Sequence, residues 1–185
     1  MTLIMRDKSV DILKGIGIIL VVVGHANCPQ TLRDIIYSFH MPLFFICSGF
    51  FFSLTDTDNW KKFLERRVKR LYIPFVKWSI FFLLLHNLFY SAGILNSDYG
   101  NIHGETSSIY SLNEIISRFL NILFRMSGYE PFILGAFWFM RALFVGSIFL
   151  FCLVWLMRKL GALGGFSIGL ASLLMFCVGG GYFFI

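Results

Sequence analysis

The sequence predicts an all-α fold, a polytopic transmembrane helical bundle of about five spans, and three observations predict it. The 185 residues are 57% hydrophobic, 18% aromatic and only 14% charged, with a mean hydropathy of +0.76, which is more apolar than one soluble core can hide. The apolar residues form long stretches rather than the short alternating ones of a barrel, and only a helix satisfies its own backbone hydrogen bonds in lipid. The basic residues gather between those stretches, so the net charge of +6 reads as a topology signal and not as a nucleic-acid surface.

The expected spans are about Asp11 to Asn27, Ile35 to Leu54, Leu71 to Leu95, Phe137 to Met157 and Gly161 to Ile185, in one domain over residues 1–185. Arg6 and Lys8 ahead of Ile16 to Val23 imitate a secretory signal. Asp11 and Lys14 interrupt it, and no cleavage pattern lies near Ala26 or Cys28, so the reading is a retained first helix. Asn27, Cys28 and Pro29 end that helix, and a polar hairpin with Arg33 and Asp34 leads into the second span.

Twelve of the sixteen Lys and Arg residues fall on one side if the amino terminus is cytoplasmic, against Arg33, Arg118, Arg125 and Arg141 on the other. The positive-inside rule then puts the carboxyl end of this chain outside. The expected location is the inner (plasma) membrane, multi-pass, with the lipid bilayer as the first partner. The loop Asn96 to Ala136 belongs outside. Within it Ser111-Leu-Asn-Glu114 is a capping box opening an amphipathic helix that Gly128 can end, expected to lie flat on the outer leaflet or over a cavity mouth. Gly161, Gly165 and Gly169 let another helix approach the last span closely, which fits a homo-oligomer or further helices beyond Ile185. The four cysteines have no paired spacing and suggest neither disulfide nor metal site.

Lys14 and His25 bracket a run with no other charge. Eleven residues at 100° each come to about 20° past three turns, so the two share one helix face, separated by roughly 16 Å along the axis. Ionisable groups in a bilayer helix are costly and face protein or water, which makes this pair the leading candidate for chemistry. Asp11, one turn before Lys14, is its natural partner. His40 in the second span is placed near the depth of His25, with Pro42 permitting a bend and Ser48 and Gly49 permitting close approach. The connector from Lys61 to Pro74 is the main basic cluster, where Arg67 and Arg70 have the i,i+3 spacing that suits phosphate oxygens. Arg141 is placed one turn into the fourth span, available to negative charge in an outer cavity. His86 beside Asn87 reads as a helix joiner, and His103 as solvated.

Asp11-Ile-Leu-Lys14-Gly15 followed by Val21-Val-Val-Gly-His25, then Phe39-His-Met-Pro-Leu-Phe-Phe-Ile-Cys-Ser-Gly49, then Arg67-Val-Lys-Arg70 before Pro74, resembles the integral-membrane acyltransferase-3 family, especially its fucose 4-O-acetylase-like branch. Phe137-Trp-Phe139 is a weaker match. The resemblance implies transfer of an acyl group, commonly acetyl from acetyl-CoA, to a hydroxyl of a surface polysaccharide or its precursor. The acyl-CoA is then a substrate, with no permanently bound cofactor, and the carbohydrate acceptor a second partner. It puts Lys14 and His25 at the family's paired positions and Arg67 and Arg70 at its paired arginines. The family has about twice as many helices, so the chain would form its amino-terminal half. A non-catalytic scaffold would bind no acetyl-CoA, and a flippase for lipid-linked sugars would leave their acetylation unchanged.

Overall fold

A computed structural model describes residues 8–26, 28–50, 52, 57–95 and 107–161, with positions 170, 173, 174 and 177. These residues are all-α, in helices α1 (Lys8–His25), α2 (Gln30–Phe50), α3 (Trp60–Arg67), α4 (Ile73–Ser91), α5 (Leu112–Arg125), α6 (Pro131–Leu134) and α7 (Trp138–Lys159). A π turn over Val68–Tyr72 joins α3 to α4, and a 3₁₀ turn over Gly135–Phe137 joins α6 to α7. Trp60–Ser91 and Pro131–Lys159, with mean hydropathies of 1.4 and 2.2, are long and apolar enough to cross a membrane. The expected last span, its glycines and His103 lie outside the described residues, apart from the four isolated positions and Gly161. The chain divides into two compact units, Met1–Asn59 with Gly146–Ile185, and Trp60–Val145.

In the first unit α1 and α2 form an antiparallel hairpin set by two glycines. A Cβ on Gly17 would come within 3.0 Å of the Phe44 ring, and one on Gly24 within 2.8 Å of the Tyr37 ring, so the two glycines let these rings pack directly on the α1 backbone. Tyr37 donates its hydroxyl to the Gly24 carbonyl at 3.2 Å, adding a polar tie at the same point. Ile12, Ile16, Ile19 and Val22 are exposed on the other side of α1, as on a lipid-facing helix. The second helix begins five residues before the sequence predicts, because Arg33 and Asp34 belong to its first turns. There Gln30 Nε2 donates to Asp34 Oδ1 at 2.7 Å, one helical turn apart. The helix passes unbroken through Pro42. At the end of α7, Arg158 donates to Thr57 Oγ1 at 2.8 Å and pairs with Asp58; both side chains are exposed, so the pair contributes about 0–1 kcal/mol.

The second unit is built around α4. Phe75, Leu83, Tyr110, Ile122 and Met126 form its buried core, with Tyr129, Phe137, Met140 and Phe144 packed around it. Phe75 meets Tyr129 edge-on at 5.6 Å and Phe137 at 5.6 Å, while Tyr72 meets Phe144 at 5.9 Å. The capping box forms, Ser111 accepting from the Glu114 N–H, and Met126 and Gly128 turn the chain with positive φ.

The helix it opens, however, does not lie across the end of α4; it runs antiparallel along it. Asn87 holds the Tyr110 backbone by two hydrogen bonds, of 3.0 and 2.9 Å, while fifteen residues back Tyr72 donates to the Leu123 carbonyl at 2.7 Å. The apolar face read as a surface face therefore divides. Ile115, Ile122 and Met126 pack inward, while Leu112, Ile116, Leu120 and Phe124 stay exposed.

The fourth expected span also begins earlier, at Pro131. Glu130 caps it by accepting from the Ile133 N–H at 2.5 Å, and Pro131 takes the first-turn position that needs no donor.

The hairpin makes a direct prediction. Gly24→Val should destabilise the detergent-solubilised protein by about 1–3 kcal/mol through overpacking against Tyr37, whereas Gly15→Ala, whose Cβ meets nothing within 4 Å, should leave the melting temperature unchanged or raise it. Equal melting temperatures for wild type and Gly24→Val would contradict the packing.

Candidate functional site

The register of the hairpin orders the first group of candidates. With Gly17 against Phe44 and Gly24 against Tyr37, position 14 faces 47, position 25 faces 36 and position 40 faces 21. Lys14 is half-buried, and its ammonium lies within electrostatic reach of the buried Cys47 thiol. Asp11 is half-buried one turn earlier, and Ser48 is half-buried next to Cys47. Asp11, Lys14, Gly17, Val21 and Gly24 thus make one stripe turned toward α2, opposite the exposed face of Ile12 to Val22.

His25 closes α1 on the register of that stripe, and His40 lies inside α2 two residues before Pro42. The side chains of both histidines are outside the described part of the structure. Their helix positions are offset: His40 sits four residues deeper in the hairpin, about 6 Å along the axis, instead of sharing the depth of His25.

One residue on this hairpin was not singled out by sequence. Arg33 is half-buried, and its Nε is enclosed with no hydrogen-bond partner among the described residues. It lies one turn before Ile36 on α2, the position that faces 25. Arginine in a polar inter-helix segment reads as a topology charge, and the signal that could have raised it is its i,i+7 spacing to His40.

The second group belongs to the other unit. Arg67 is half-buried with its guanidinium over the Phe63 ring at 5.2 Å, and Arg70 is exposed. Lys69 between them is paired with Glu65 at 2.6 Å. The i,i+3 geometry expected for these arginines does not hold, because the π turn occupies Val68–Tyr72, with the Ile73 N–H reaching the Val68 carbonyl. A π turn fits more residues into each revolution and so changes the angle between Arg67 and Arg70. Such single turns concentrate at functional sites, since they cost helix stability.

Arg141 is not near the outer end of its span. The helix starts at Pro131, and Arg141 falls between Phe137, which packs on Phe75, and Phe144, which packs on Tyr72. It therefore lies toward the Arg70–Tyr72 end of α4, half-buried beside the Tyr129 hydroxyl. The placement by sequence failed because Glu130-Pro131 was taken for loop.

At the opposite end of α4, His86 is fully buried and stacked on Tyr110, with ring centroids 3.5 Å apart, and Arg118 covers the other face of Tyr110 at 4.1 Å. His86 Nε2 lies 2.8 Å from the Ser108 carbonyl. A carbonyl only accepts, so Nε2 carries a proton and the unpartnered Nδ1 faces Glu130 Oε1 at 3.9 Å. This cluster ties α4 to residues 107–110 and to the start of α6, the helix-joining role expected for His86.

No curated protein and no solved structure gives a significant match to the chain. A family model described as an acyltransferase domain, acyltransferase 3, matches residues 7–185, which include the Lys14–His25 stripe, the hairpin and the π turn that follows Arg67. The chain belongs to the acyltransferase-3 family of integral-membrane acyltransferases.

Proposed function

We propose that the protein takes part in O-acylation of a surface polysaccharide or its precursor, as in the fucose 4-O-acetylase-like branch, with acetyl-CoA as donor. The observation that carries this reading is the α1 stripe: a half-buried cation at position 14 and a histidine at position 25, on one face of a helix turned toward α2, in a member of an acyltransferase family. The amino terminus is cytoplasmic in this reading, which puts Lys14 and the Arg67–Arg70 turn at the inner surface of the plasma membrane and His25 toward the outer one.

His25 acts as general base. The acceptor hydroxyl gives its proton to the imidazole as its oxygen bonds to the thioester carbonyl carbon, forming a tetrahedral oxyanion. Collapse breaks the carbon–sulfur bond, and the leaving thiolate takes the proton back from the imidazolium. Arg33 supplies positive charge for the oxyanion, since its enclosed Nε has a hydrogen bond still to donate. His40, one turn deeper, positions the reacting groups, and Ser48, near the level of Lys14, lines the donor's path, with Lys14 held by Asp11. Arg67 and Arg70 take the phosphates of coenzyme A. Lys14 adds positive charge to the α1 stripe that His25 closes.

Two measurements on vesicles supplied with labelled acetyl-CoA and the glycan acceptor test these roles. His25→Ala should reduce acetyl transfer by about 10²–10⁴-fold with the protein still folded; full activity in that variant would defeat the assignment. Arg67→Ala and Arg70→Ala should each raise the KM for acetyl-CoA by about 10- to 150-fold while changing kcat little, because a lost charge-assisted hydrogen bond is worth about 1.5–3 kcal/mol. Unchanged kinetics in both would remove the donor site from this turn.

A further inference from the structure

We infer that residues 107–130 form a re-entrant membrane hairpin that enters at the His86–Asn87 end of α4 and delivers Arg125 to the Arg70 end, where it becomes part of the phosphate-binding site. The ligand half of this inference rests on the donor site proposed above; the topology half does not.

Three observations fix the path. The entry is held by Asn87 on the Tyr110 backbone and by His86 beneath the Ser108 carbonyl. The far end is held by Tyr72 on the Leu123 carbonyl, two residues before Arg125 and two after Arg70 in their respective chains. Between these ties α5 spans fourteen residues, about 21 Å, beside the most apolar part of α4, so it occupies most of the roughly 30 Å hydrocarbon thickness. The return is extended and short: a Cβ on Gly128 would meet Asn121 at 3.1 Å and the Arg118 backbone, which places residues 128–130 climbing back along α5 toward Glu130 and His86.

The surface chemistry agrees with lipid burial. Leu112, Ile116, Leu120 and Phe124 make an exposed apolar face, and Ile73, Trp78, Phe81 and Leu84 of α4, over the same range of levels, are exposed as well. Along the length of α5 the charges are neutralised as a pair: Glu114 and Arg118, both partly buried, meet at 3.1 Å, and Arg118 lies over Tyr110. Arg125 is exposed at the tip. It lies at the level of Arg70, where Arg141 also lies, and a set of like charges at one end of a bundle makes a positive potential that attracts anions. The same path moves Arg125 and Arg141 from the outer to the inner group of cations, which sharpens the positive-inside asymmetry.

The test uses the full chain with its cysteines replaced by serine, carrying Arg125→Cys, Ser111→Cys or Lys61→Cys, in right-side-out and inverted vesicles treated with a membrane-impermeant maleimide. Arg125→Cys should label with Lys61→Cys, from the side opposite Ser111→Cys, and coenzyme A should slow its labelling at least tenfold in vesicles of zwitterionic lipid. Labelling of Arg125→Cys from the Ser111→Cys side overturns the hairpin. Correct sidedness with no protection by coenzyme A, or with protection only by anionic lipid, overturns the role of Arg125 in donor binding. Loss of protection at Arg125→Cys when Arg67 and Arg70 are replaced supports the shared site, whereas correct sidedness persisting without protection at either place separates a failed donor site from a failed hairpin.

Discussion

The close approach of α1 and α2 at Gly17 and Gly24 is the constraint on which the candidate site depends. With no Cβ at either point, the Phe44 and Tyr37 rings reach the α1 backbone, and the stripe through Asp11 and Lys14 is forced against α2 instead of lipid. A half-buried ammonium costs free energy unless charge or polar partners meet it, and the packing against α2 imposes that requirement on Lys14. A side chain at position 24 would meet the Tyr37 ring at 2.8 Å and displace it, and with it the hydroxyl that ties α2 to the Gly24 carbonyl.

The second unit solves a different problem with similar means. Around α4, apolar and aromatic packing fixes the middle, and polar ties fix the ends: Asn87 and His86 at one, Tyr72 at the other. Backbone that leaves helical geometry near a membrane must find partners within the protein, and residues 108–110 find theirs in Asn87 and His86. Glu130 does two jobs there, capping α6 with one oxygen and facing His86 with the other. The π turn at the far end relaxes helix geometry, beginning just after Arg67 and including Arg70 of the RVKR segment.

What could be read from sequence was what depends on short range. The apolar stretches gave the α class, the capping box located the start of α5, and an interval of eleven residues put positions 14 and 25 on one face. What could not be read depends on pairing across distance or on competing local signals. Arg33 and Asp34 look like a loop until Gln30 is seen bonding to Asp34 inside the helix, and Glu130-Pro131 looks like a loop until it is seen as a cap and a first helical turn. The direction of α5 rests on Tyr72 finding Leu123, fifty-one residues away, and amphipathic spacing alone could not distinguish a helix lying on a membrane from one packed along α4. The offset of His40 from His25 follows from the glycine register, which periodicity does not supply.

The most direct measurement is oxidative cross-linking in membranes of Lys14→Cys with the native Cys47, the other cysteines being replaced, compared with Ile18→Cys on the exposed face of α1. The packing described here predicts rapid disulfide formation for Lys14→Cys with Cys47 and none for Ile18→Cys. Equal rates for the two, or a faster reaction of Ile18→Cys, would mean that the stripe carrying positions 14 and 25 does not face α2, and the account of the site would fail.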